Sequence, residues 1–182
     1  MNLRLLALKI YIPSFIKKKK LEQLFDLVAD AFGNFTPPLK RLSYRERLKA
    51  FALYTSQEAE TQIQRGQNLE KIKKRLYNSA YILGQKIRND FRIRSPREVM
   101  EMSHILYQIL GIDFDGEASG EVTIKKCFFS DYYSPQVCHI ISSLDEGVAA
   151  GLSGGGKLSF SGRITEGKDC CKARLAMPEE KP

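Results

Sequence analysis

The sequence predicts an α+β fold, in which a helical N-terminal part packs on a small antiparallel sheet with a following helix. Two changes of pattern along the 182 residues carry this reading. Up to residue 110, apolar residues recur at spacings of three and four between helix caps. Beyond Gly111 they give way to short β-branched and aromatic stretches divided by glycine turns. The charge changes at the same place: residues 1–110 carry 21 Lys+Arg against 10 Asp+Glu, and residues 111–182 carry 8 against 11. The chain therefore divides into a basic helical region, 1–110, and a cysteine-containing α+β region, 111–182. The two are expected to form one continuous domain.

Taken in order, Lys20 to Phe32 puts Leu21, Leu24, Phe25, Leu27, Val28 and Phe32 on one helical side. Gly33, Asn34, Pro37 and Pro38 end that helix. Ser43 and Glu46 form a capping box for a second helix that runs to about Arg65. Gly66 and Asn68 break it, and a third helix from Leu69 keeps Ile72, Leu76, Ala80, Leu83 and Ile87 on one face. Ser95-Pro96 opens a fourth, with Val99, Met102, Ile105, Leu106 and Ile109 as its buried stripe. Glu121 to Phe129 reads as a strand. Ser134-Pro135 starts a fifth helix that lasts to the glycines at 151 to 156. Lys157 to Arg163 alternates as a second strand, Cys171 to Ala176 is a third, and a frayed tail follows from Met177.

Several function classes are disfavoured by composition. No window reaches the roughly 18 to 20 consecutive apolar residues of a membrane span. The order of the first 20 residues, apolar and then Lys17–Lys20, is wrong for a signal peptide. A cytoplasmic location is expected, so the four cysteines count as thiols or ligands before disulfides. A peripheral membrane contact through residues 1–20 is the less favoured account of that basic tract, against a solvated helix start. Nucleic acid is disfavoured too, because acids interleave the basic residues and no stacking-aromatic motif is present.

All four cysteines fall between positions 127 and 171. Cys138 belongs to the first turn of the fifth helix, where unpaired N–H groups and the dipole favour thiolate. Cys170 and Cys171, adjacent on a strand, point to opposite faces. Three readings remain open. Cys127, Cys138 and Cys171 with Glu166, His139 or water are candidate ligands for zinc or iron. Alternatively Cys138 is a nucleophile, with His139 and Asp145 completing a catalytic set; Asp145 lies seven residues, or two turns, further along the helix. In the third reading the thiols are ordinary core residues. His104 is expected to be structural. Gly151 and Gly154 to Gly156 follow a helix and precede a strand, which makes them a helix end rather than a phosphate loop.

The run CFFSDYYSPQVCHIISSLDEGVAAGLSGGGKLSFSGRITEGKDCCKARL resembles the end of the 4-vinyl reductase-like ligand-binding domain. The features carrying the resemblance are Cys138 at a helix start, the helix to Leu152, the strand Leu158 to Ile164, and Gly167 to Cys171. The run is also similar to amino-thiazoline carboxylic acid hydrolase-like proteins, with Cys127 matching their strand cysteine. The resemblance covers about fifty residues. It implies an α+β module with a small-molecule pocket between helices and sheet, and zinc bound in some relatives. Cys138 and Cys171 match the first and last zinc ligands, while Phe160 and Arg163 stand near the strand ligands' places. The resulting expectation is a small-molecule-binding protein with a thiol-lined site, ligand contacts at Phe129, Tyr133 and Cys138, and homodimerisation through the helices. The alternatives are a hydrolase acting on a thiazoline-like C–N substrate, or a structural module that binds a partner.

Overall fold

Local caps set the helix boundaries in the structure, a computed structural model describing residues 11–34, 39 and 41–178 together with Leu5 and Leu8. Helix α1 (Ser14–Phe32) ends at Gly33, whose φ of 79° supplies a left-handed cap. It begins ahead of the expected Lys20 and takes Lys17–Lys20 into its first turns. The expected break at Pro37 and Pro38, most of residues 1–10 and the last four residues lie outside the described residues. Helix α2 (Tyr44–Gln64) opens on the expected capping box: Ser43 Oγ accepts the Glu46 N–H and the Glu46 carboxylate accepts the Ser43 N–H. Asn68 caps α3 (Leu69–Phe91) by accepting the Lys71 N–H. Ser95 and Glu98 form a second capping box at α4 (Pro96–Ile109).

Four strands follow in one antiparallel sheet of order β1-β2-β4-β3: β1 (Ile112–Gly116), β2 (Glu121–Cys127), β3 (Lys157–Gly162) and β4 (Cys171–Ala176). The first strand was not expected. The second ends at Cys127, so Phe128–Asp131 leave the sheet as a 3₁₀ turn and Phe129 is not a strand residue. Alternation in β4 buries Cys171, Ala173 and Leu175 and exposes Lys172, Arg174 and Ala176. One face of the sheet therefore meets the helices and the other meets water.

The expected fifth helix is two helices, α5 (Pro135–Ile141) and α6 (Ser143–Ser153). Ser142 makes the joint. Its hydroxyl donates back to the His139 carbonyl at 3.3 Å and accepts from Arg163 Nη2 at 3.0 Å. Such back-bonding bends a helix, and here a distant arginine holds the bend.

Helix α6 packs on α3 through small residues. A Cβ on Gly147 would lie 2.3 Å from the Tyr77 carbonyl oxygen, and one on Gly151 2.3 Å from that of Tyr81. From the other side, a Cβ on Gly84 would lie 2.5 Å from the Val148 carbonyl oxygen. Backbone meets backbone along this seam. Gly154 caps α6 with φ 81°, as the glycine cluster predicted.

Two apolar clusters result. One joins the sheet to α4 and the C-terminal part of α6 through Met102, Ile105, Val122, Ile124 and Leu152. The other joins α1, α2, α3 and α5 through Leu21, Phe25, Phe51, Leu76 and Val137. Burial of each large side chain stabilises the fold by about 2 kcal/mol. Among the described residues, no helix is long and apolar enough to cross a membrane.

Candidate functional site

Between the two clusters lies a cavity of about 160 Å³. Its walls come from every layer. Leu21 and Leu24 of α1 form one side, and Leu106 and Tyr107 of α4 another. Phe114, Cys127 and Cys171 face it from the sheet, and Cys138, Asp145 and Val148 from α5 and α6. Phe129 and Tyr133, carried by the 3₁₀ turn and the residues after it, also reach it, as does Thr165 between β3 and β4. Gln23, exposed on α1, also lines it.

The expected site residues separate into two groups. Cys127, Cys138, Cys171, Asp145, Phe129 and Tyr133 all line the cavity. His139 and Glu166 do not. His139 is half exposed, and its Nε2 lies 2.8 Å from Glu166 Oε1 at the surface. That contact, with the Arg163 neighbourhood, holds the Glu166 carboxyl below its usual range. His139 thus stands outside the cavity that Cys138 and Asp145 line. It follows Cys138 on a helix, and successive helical residues point about 100° apart.

The thiols also differ from expectation. Burial pushes Cys138 up, and the neighbouring Thr165 hydroxyl and Arg163 offset only part of that shift. The helix-start argument for a thiolate fails because α5 is short, and the Cys138 N–H is already bonded to the Ser134 carbonyl at 2.9 Å. Cys127 is pushed up to about 12 by burial. Burial likewise raises Cys171, whose sulfur accepts the Ile164 N–H at 3.3 Å. Burial thus favours the neutral thiol in all three. Among the described residues no three His, Cys, Asp or Glu side chains are grouped to hold a metal ion. Glu166, one of the expected ligands, is turned to His139 outside the cavity that Cys127, Cys138 and Cys171 line. Iodoacetamide at pH 7.5 is expected to label Cys127, Cys138 and Cys171 at least about tenfold more slowly in the native protein than in denaturant. Peptide mass spectrometry reads this out, and rapid selective labelling of Cys138 would overturn it.

The polar centre is Asp145. It sits in the first turn of α6, and its Oδ1 accepts the Tyr107 hydroxyl at 2.8 Å. Asp145 is half-buried and lines the cavity. Burial raises it from 3.8 to about 6, against the lowering effect of the Tyr107 hydrogen bond and of Arg163. Tyr107 is raised well above its ordinary value by burial and then by Asp145. Tyr133 is raised by burial too, and shares a hydrogen bond with Thr55.

Tyr107 and Thr165 are among the polar lining residues that sequence reasoning missed. For Tyr107 a signal existed, since Ser103 and Tyr107, one turn apart on α4, form a polar line beside the apolar stripe. Thr165 lies in a turn and gave none. His104, expected to be structural, bonds the Phe114 carbonyl through Nδ1 at 2.9 Å. No protein-family model matches this chain, and no curated protein matches it significantly.

Proposed function

We propose that the protein binds a small, largely apolar molecule in the cavity between its helices and its sheet. The carrying observation is the cavity itself, which combines a mostly apolar lining with a few polar groups, the hydrogen-bonded pair Asp145 and Tyr107 among them. That composition is the ordinary signature of a small-molecule site. A domain of this size gains stability from a filled core, so a hole through its centre at the junction of two clusters loses dispersion contacts. The resemblance to the 4-vinyl reductase-like ligand-binding domain supports the same reading, because it too implies a pocket between helices and sheet.

The volume limits the occupant. A cavity of about 150 Å³ lined by Leu, Ile and Phe accommodates benzene, so 160 Å³ suits a single ring with one small substituent. Calorimetric titration with toluene, benzyl alcohol and benzylamine as probes is expected to show one-to-one binding by at least one of them. Ala149→Leu, which projects a larger side chain from a lining position, is expected to remove that binding while the protein still melts cooperatively. Absence of binding by every probe would sink the reading.

A further inference from the structure

We propose that the ligand is a small organic cation, a ring-sized apolar amine whose ammonium pairs with Asp145. This deepens the cavity-binding reading above and rests on it. The argument begins with what Asp145 lacks. Its Oδ1 is engaged by Tyr107, and among the described residues no other hydrogen bond and no ion pair reaches the carboxylate. Nearby Arg163 bonds Ser142 Oγ through Nη2 at 3.0 Å and lies 4.3 Å over the Phe160 ring; among the described residues its Nε has no partner, and its charge acts on Asp145 through space without an ion pair. Lys20 lines the cavity from α1 but forms no ion pair with Asp145. Oδ2 thus keeps its acceptor capacity inside a mostly apolar enclosure.

A carboxylate in such a place is stabilised most by a cation within hydrogen-bond reach. Its charge is retained near neutrality, because a group titrating at about 6 is largely ionised at pH 7.5. An anionic ligand would meet Asp145 with like charge. A neutral one would leave Asp145 with only the Tyr107 hydrogen bond and the through-space pull of Arg163. The aromatic walls also suit a cation, while Lys20 brings a positive charge of its own to the α1 side. Tyr107, Phe114, Phe51, Phe129 and Tyr133 all line the cavity, and Tyr107 stacks on Phe114 with ring centroids 4.7 Å apart. Aromatic faces attract an ammonium through their quadrupole. The neutral thiols of Cys127, Cys138 and Cys171 add soft, uncharged surface around it.

Four probes of one size separate the possibilities by calorimetric titration of the full chain at pH 7.5: benzylamine, benzyl alcohol, toluene and benzoate. Benzylamine is expected to bind at least tenfold more tightly than benzyl alcohol, with benzoate weakest. In Asp145→Asn, whose folding is checked by thermal melting, benzylamine is expected to fall at least tenfold. Benzyl alcohol binding as tightly as benzylamine, or an amine preference that survives Asp145→Asn, would overturn the charge assignment and leave the cavity reading standing. Failure of all four probes would remove the cavity reading, and this proposal with it.

Discussion

Replacing Asp145 by Asn is expected to stabilise the ligand-free protein by about 2 kcal/mol at pH 7.5 and to change it little near pH 4. The carboxyl titrates at 3.8 in the unfolded chain and at about 6 in the fold. Between those values the folded state holds a proton that the unfolded state has released. Stability therefore falls as pH climbs through that window and stays lowered above it. A shift of about two units corresponds to about 3 kcal/mol, and water reaching the carboxylate from the cavity reduces the effect to the figure given. Asn removes the titration and keeps an oxygen for the Tyr107 hydroxyl. Of the groups around Asp145, Tyr107, Cys127, Cys138 and Cys171 are pushed upward and stay neutral through this window. Glu146, also raised by burial, repels the Asp145 carboxylate and adds to its shift. Urea denaturation at pH 4, 5.5 and 7.5 checks the result. Parallel pH profiles for the two proteins would show that Asp145 is not strained by its burial. A residue that weakens the fold at neutral pH needs a reason to persist, and ligand pairing is one.

Gly151→Val is expected to destabilise the protein by on the order of 3 kcal/mol or more, with Gly151→Ala a smaller loss of the same sign. The sign is the informative part. In an exposed helix, Gly→Ala is favourable by about 1 kcal/mol, because alanine loses less backbone entropy. Here the added Cβ would lie 2.3 Å from the Tyr81 carbonyl oxygen and 2.7 Å from the Gln85 nitrogen. These are backbone atoms and no side-chain rotation can relieve them, so α3 and α6 must separate. Separation also loosens the matching contacts at Gly147 and Gly84, where the clearances are 2.3 and 2.5 Å. Denaturant titration of the two variants beside the parent decides it. A Gly151→Ala variant more stable than the parent would show that the helices part freely.

The helices were legible because their caps are local. Ser43 with Glu46, and Ser95 with Glu98, each act within three residues, and the structure forms both boxes. Strand β1 was not, since Ile112 to Gly116 alternates over only five residues and owes its extended form to pairing with β2. The joint at Ser142 depends on Arg163, 21 positions away, and no window of sequence contains both. At the site, the clustering of cysteines correctly directed attention to one region. The chemistry assigned to them did not follow, because the helix-start rule acts over one turn while burial sums over the whole fold. His139 was misplaced by adjacency: a neighbour in sequence is not a neighbour on a helix face. Asp145 was placed by counting two turns along one helix. The helix is broken, yet the bend still brings Asp145 and Cys138 to the same cavity.

The glycine seam between α3 and α6 has a mechanical meaning as well. It makes the α6 wall of the cavity a fixed one, since backbone held against backbone leaves no slack for breathing. The α1 wall is held differently, by side chains such as Leu21 and Phe25, with exposed Gln23 among the residues that line the cavity. One wall is thus set by backbone against backbone and the other by side-chain packing, which rotamer changes can adjust.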